Sequence, residues 1–258
     1  MNWIQVATTR FELFILVFAR VFTVFSTVPI FGTSQIPTQA KIAFSYFVVL
    51  ILFPVIPLPK ELPSSLILYF FMLGKEILFG LIIGYVSFIL FSGIQIGGQI
   101  IDLLIGFGLA NVINPISNIQ VSIMGNFQYI IALLVFVSMN GHFYLLLALS
   151  QSFHIVPVGT MQLSAKAFLT FDSFLSKMFV IAFELAFPSV AALFITNIAL
   201  GVISRFVPQL NVFFVGFAIT IFVGFLVTII TLNGLMAFHA RVFHDIFSEM
   251  MAMMRVLR

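Results

Sequence analysis

Apolar stretches long enough to cross a bilayer dominate this sequence, and few charges interrupt them. A span of the hydrocarbon core takes about 20 apolar residues. On that yardstick, candidate segments fall at approximately 11–31, 42–57, 66–96, 127–150, 167–204 and 212–238. Turn chemistry separates them: Gly32 to Pro37 after the first, Pro57, Pro59 and Pro63 after the second, Pro157 with Gly159 after the fourth, and Pro208 after the fifth. Three prolines in seven residues rule out a continuous helix through 57–63. Composition removes the soluble alternative. The chain is 62% hydrophobic and 7% charged, where an ordinary soluble domain carries about 25% charge. Lipid, or the apolar surface of other subunits, must therefore surround most of it. The expected fold is all-α: a polytopic helical membrane protein with about six hydrophobic segments, forming one membrane domain over residues 1–258.

The segments are unequal. The second is short for a span, while the third and fifth have length to spare and carry interruptions, so kinked helical hairpins fit as well as six equal crossings. With both ends cytoplasmic, Arg10, Lys60, Lys166, Arg241, Arg255 and Arg258 fall on the cytoplasmic side and only Lys41 and Arg205 on the other, as the positive-inside rule prefers. In the last stretch, 236–258, Phe238, Val242, Ile246, Met250 and Met253 recur at helical spacing with charges between them. That is an amphipathic helix, suited to the interface or to a partner. The N-terminus is expected to be retained, because Glu12 and Arg20 interrupt the first apolar stretch and no small-residue cleavage site follows it.

Several function classes lose support. The net charge is +3 with its basic residues scattered, which is not a nucleic-acid footprint. The absence of cysteine removes disulfides, thiolate metal sites and cysteine nucleophiles. His142, His154, His239 and His244 are dispersed, and the last two are misaligned for one metal on a helix face. No metalloprotease, nucleophile-elbow or phosphate-loop pattern occurs, so neither an enzyme nor a cofactor is expected.

Three features remain as candidates. The first is the set of charges inside apolar segments: Glu12, Arg20, Lys75, Glu76, Asp172, Lys177 and Glu184. Burying a charge in a membrane is costly, so each is expected to face a partner, a cavity or the polar boundary. Structural pairing and snorkelling are the plain readings, and an ion-coupled secondary transporter, using Asp172 or Glu184, is the alternative from another class. The second is the spacing Gly80/Gly84 and Gly93/Gly97, which lets helix backbones approach closely. The third is the stretch 99–125, where Gly106, Gly108 and Asn114-Pro115 break regular helix. Irregular backbone at membrane depth survives only where protein or water covers it. Such a loop is either a pore constriction or plug, which closes by excluding water, or a re-entrant or external loop without a gating role.

At Arg205, Pro208-Gln209-Leu210-Asn211 and Phe213 the sequence resembles the signature of the FliR family of flagellar export proteins and its injectisome relatives. Pro29-Ile30-Phe31-Gly32 with Ile36-Pro37 and Lys41, Gly98-Gln99 followed by Gly106 and Asn114-Pro115, and Asn140-Gly141-His142 are similar to further family motifs, in order along nearly the whole chain. Two positions depart from the family pattern: Ala218 follows Gly216-Phe217 where proline is usual, and Asn114 stands where aspartate is usual. The resemblance implies a non-enzymatic subunit of the type III export gate, assembled with FliP and FliQ at the bacterial inner membrane in the flagellar basal body. FlhB would associate with it, and unfolded flagellar subunits would pass through; the equivalent injectisome subunit is the near alternative. It further implies that residues 105–122 help plug the closed channel, with Gly106, Phe107, Gly108, Leu109, Val112, Ile113, Asn114, Pro115 and Ile116 at its heart. The Pro208 to Phe213 block then reads as a turn that positions two long helices, with Gln209 and Asn211 capping backbone groups or meeting a neighbour.

Overall fold

The structure is a computed structural model that describes residues 3–33, 35–57, 59, 62–63, 65–107, 122–209 and 211–258. Among them no strand occurs, and eight helices carry the fold: α1 Trp3–Thr27, α2 Pro29–Gly32, α3 Thr38–Leu52, α4 Leu66–Ile105, α5 Ile123–Ser138, α6 Gly141–Ile155, α7 Ala165–Phe206 and α8 Val212–Val256.

The all-α membrane class holds, but the number of crossings is lower than expected. Among the described residues three helices, α4, α7 and α8, are long and apolar enough to cross a membrane, and a fourth crossing results if α5 and α6 count as one broken span. The reasons are local. Helix α1 carries Arg10, Glu12 and Arg20 along its length. Helix α3 has only 15 residues, about 22 Å at 1.5 Å per residue. The expected segment 127–150 is divided at Met139–Asn140, where Asn140 takes the left-handed conformation (φ 57°) that asparagine tolerates better than most residues. The long helices exceed expectation in turn. Helix α4 continues from the third segment to Ile105, and α8 joins the sixth segment to the amphipathic stretch without a break. Their 40 to 45 residues correspond to about 60 Å or more of helix, roughly twice the hydrocarbon thickness.

Contacts divide the chain into two compact units, Met1–Ile89 with Asn140–Phe174 and His244–Arg258, and Leu90–Met139 with Leu175–Phe243. Helices α4, α7 and α8 contribute one part to each.

In the first unit, α1 buries Leu13, Leu16, Val17, Val21 and Val24, an apolar stripe at helical spacing. It meets α4 closely: a Cβ on Gly80 would come 2.7 Å from the Arg20 carbonyl oxygen, and one on Gly84 would overlap the Thr27 hydroxyl. Helix α3 folds back on α1 through aromatic contacts, with Phe25, Phe31 and Phe44 in mutual edge and stacked pairs 4.9–5.3 Å apart. The end of α8 also packs here. Ile246, Met250, Met253, Met254 and Leu257 are buried, the Ser87 hydroxyl meets the Met250 sulfur at 3.6 Å, and the Leu257 and Val256 carbonyls accept bonds from Gln162 N and Ser164 Oγ. The apolar face of the amphipathic stretch 236–258, expected to seek an interface or a partner, is thus occupied by its own chain.

In the second unit, α4 packs on α7 through Gly93 and Gly97, where an added Cβ would come 2.7 Å from the Met178 carbonyl oxygen and 2.8 Å from that of Ala182. Phe91, Phe136 and Phe243 form a ring cluster with centroids 4.9–5.6 Å apart that joins α4, α5 and α8. Both glycine pairs therefore stand at helix crossings where a side chain would hold the backbones apart.

Candidate functional site

Two polar constructions stand out, one in each unit. In the first unit, Arg20 of α1 and Glu76 of α4 are both fully buried and form a two-point ion pair, Nε to Oε2 at 2.5 Å and Nη2 to Oε1 at 3.1 Å. Arg20 Nη1 donates to the Val156 carbonyl at 2.9 Å and to the Ser152 carbonyl at 3.3 Å. Glu76 Oε1 accepts from the Gly159 amide at 2.7 Å. Gly159 has φ 82°, a conformation that favours glycine. The guanidinium lies over Phe79 and Phe153, 4.2 and 4.5 Å from the ring centroids. One pair therefore ties α1, α4, the end of α6 and the turn that follows it, with donors and acceptors matched. The other charges expected to be buried are not: Glu12, Lys75, Asp172, Lys177 and Glu184 lie exposed on this chain. They sit on outward faces of apolar helices, away from the core. Glu184 pairs there with Arg241 at 2.5 Å.

The second construction brackets the stretch that breaks helix in the sequence. Gly108, Leu109, Val112, Ile113, Asn114, Pro115 and Ile116 lie outside the described residues, but both flanks are described. Helix α4 stops as Gly106 turns to φ 99° and the Gly106 and Phe107 amides both donate to the Asp102 carbonyl at 3.1 Å, the glycine stop common at helix C-termini. The Asp102 carboxylate then receives the returning chain. Oδ2 accepts the Ser122 hydroxyl, and Oδ1 accepts the Met124 amide at 2.9 Å. Ser122 caps α5 by accepting the Gly125 amide at 2.9 Å. Asp102 is only 7% exposed.

Two further contacts hold this point. A Cβ on Gly98, one helical turn before Asp102, would come 2.5 Å from the Gly125 Cα, so the α4 and α5 backbones touch. On the other side, Thr220 Oγ1 of α8 donates to the Ile105 carbonyl at 2.9 Å. Gly224 leaves room for the Ile105 side chain, and the Phe107 ring meets that of Phe225. Sequence reasoning passed over Asp102. The signal was present: it is the only Asp, Glu, Lys or Arg between Glu76 and Lys166.

The block at 205–213 has another character. Arg205 lies in the last turn of α7, Pro208 and Gln209 form an exposed turn, Leu210 lies outside the described residues, and Asn211 precedes α8, its carbonyl accepting the Val215 amide at 3.2 Å. Phe206, Phe213 and Phe214 flank the turn and are all exposed on this chain. The turn joins two long helices whose outward faces are also apolar, with Phe183, Phe187, Phe194 and Ile195 on α7 and Phe222, Ile229 and Ile230 on α8.

The pattern of the family described as "Bacterial export proteins, family 1" matches residues 11–246, a range that holds both constructions and the exposed turn. Among curated proteins, the chain is similar to "Flagellar biosynthetic protein FliR" of Bacillus subtilis (strain 168), with 37% identity over 86% of this chain and 87% of that protein. It is also similar to the proteins of the same name from Escherichia coli (strain K12), 28% identical over 89% and 87%, and from Aquifex aeolicus (strain VF5), 27% identical over 90% of each.

Proposed function

The chain belongs to the bacterial export proteins, family 1, and on that premise we propose that it is a structural subunit of the flagellar protein-export channel, built with FliP and FliQ, that contributes residues 105–122 as a closing plug. The observation that carries the reading is the 37% identity with a flagellar biosynthetic protein FliR over most of both chains. The channel sits in the bacterial inner membrane within the flagellar basal body, FlhB associates with it, and unfolded flagellar subunits are its cargo.

Physical features support a subunit role and a closing segment. Helices of 40 to 45 residues outrun the hydrocarbon core by about twofold, yet their outward faces stay apolar. Sister subunits are a natural cover for surface that lipid cannot reach. The closing segment carries Phe107, Leu109, Val112, Ile113 and Ile116 among small residues, a composition that excludes water and ions from a narrow pore. Nothing in the 205–213 block provides catalytic chemistry; the turn and its exposed phenylalanines offer a subunit contact.

The test is assembly followed by conductance. The chain should copurify with FliP and FliQ in a constant ratio, and deletion of residues 106–117 should leave that complex intact while the membrane becomes leaky to small ions. Failure to copurify would overturn the channel assignment. An intact complex with unchanged conductance would overturn the plug.

A further inference from the structure

We infer that Asp102 is a positioning residue: its carboxylate is a clasp that holds the start of α5 to the end of α4, at the two described flanks of the segment proposed to close the channel. This rests on the reading of that segment as a plug, but the clasp itself is built entirely from described residues.

One residue serves both ends of the excursion. The Asp102 main-chain carbonyl accepts the amides of Gly106 and Phe107 as the chain leaves α4. Its side chain accepts the Ser122 hydroxyl and the Met124 amide as the chain enters α5. Both carboxylate oxygens are thus used by groups at the start of α5. The first amides of a helix have no partners inside the helix, and a negative charge at that end is favoured by the aligned peptide dipoles. Of α5's first amides, Met124 is satisfied by Asp102 and Gly125 by Ser122. A charge-assisted bond is roughly twice as strong as a neutral one, and burial keeps competing water away.

The surroundings make this a defined joint. Gly98 and Gly125 let the two backbones touch one turn behind the carboxylate. Thr220 fills the Ile105 carbonyl from α8. Loss of the carboxylate would leave the Met124 amide without an acceptor, at the point from which the closing segment must be aimed.

The chain's lack of cysteine makes the test clean. In the complex purified with FliP and FliQ, Asp102→Ala should raise hydrogen exchange of the amides at 123–126 by about tenfold or more, and should raise ion conductance of cells or proteoliposomes several-fold with the complex still assembled. In the pair Asp102→Cys with Ser122→Cys a disulfide takes the place of the hydrogen bond between two touching side chains, its formation verified by mass spectrometry before the comparison. Oxidised, this variant should exchange and conduct like the parent; reduced, it should resemble Asp102→Ala. Unchanged exchange in Asp102→Ala overturns the clasp. Raised exchange without raised conductance keeps the clasp and overturns the plug reading beneath it. If Asp102→Ala does not assemble, the cysteine pair decides alone: exchange at 123–126 that does not depend on redox state overturns the clasp.

Discussion

Glu76 and Asp102 are both buried carboxylates that accept a main-chain amide from a returning segment, yet they are built for different ends. Glu76 faces a guanidinium, and that guanidinium is walled by two phenylalanine rings and bonded to two further carbonyls. Among the described residues no cation pairs with Asp102; its partners are a hydroxyl, an amide and the start of a helix. The first arrangement has no low-energy way to open, because either partner alone would be an uncompensated charge in an apolar core. The second can open by breaking two hydrogen bonds, each of which has a replacement when water enters. The difference teaches where rigidity is placed: the ion pair joins three helices and the turn after α6, while the clasp sits beside the segment proposed to close the channel.

Breaking the stronger construction should give the largest effect. Arg20→Ala or Glu76→Ala leaves a buried charge without its partner and should destabilise the folded chain by about 3–5 kcal/mol. It would be read as loss of recoverable protein and of thermal stability in detergent. The double variant Arg20→Met with Glu76→Leu should recover much of this, because the pair is replaced by apolar volume. Recovery should stay incomplete, since the Gly159 amide and Val156 carbonyl lose their partners. A double variant no better than the single ones would mean that the hydrogen bonds to the turn, and not the paired charges, carry the stability.

The next effect tests whether the clasp depends on the backbone contact behind it. Gly98→Val places a branched side chain where the Gly125 backbone already stands, and overpacking of this kind costs about 1–3 kcal/mol. Gly74→Ala, on the same helix but with open space around it, is the control and should be neutral or slightly stabilising. Ser122→Ala removes both the α5 cap and one of the two clasp donors and should cost about 1 kcal/mol. Combined with Asp102→Ala, its cost should be less than additive, because both variants delete the same bond.

Much of the fold was legible in the sequence. Apolar length and turn residues place the helices, and the Gly80/Gly84 and Gly93/Gly97 spacings fall at real crossings because close backbone approach needs glycine whatever the partner. What could not be read was pairing across distance. Arg20 pairs with Glu76, 56 residues away, and no periodicity within one helix encodes that. Fewer spans form than the apolar segments suggest because hydropathy alone passes over the three charges along α1, the 15-residue length of α3 and the left-handed Asn140 that divides 127–150. The continuity of α8 was missed for the opposite reason: a change from apolar to amphipathic character suggests a boundary that the backbone ignores. Asp102 was hidden in a stretch judged by its glycines, although its isolation among uncharged residues marked it.

The smallest expected effect belongs to the exposed pair Glu184–Arg241, and it sharpens the comparison from outside. The pair joins α7 to α8 at 2.5 Å with both side chains about half exposed on this chain. An ion pair that stays in contact with water is worth about 0–1 kcal/mol, far less than the buried Arg20–Glu76 pair. Glu184→Gln in the isolated chain should therefore change thermal stability little. The surrounding faces are apolar, however, with Phe183 and Phe187 exposed beside Glu184. If sister subunits cover them, the pair loses its water on assembly and its behaviour moves toward that of the buried pair. Glu184→Gln should then weaken copurification with FliP and FliQ by several-fold while leaving the isolated chain unaffected. Equal behaviour of parent and variant in both settings would place this pair in water or at the headgroup boundary in the finished channel, and would move the covered surface to other faces of α7 and α8.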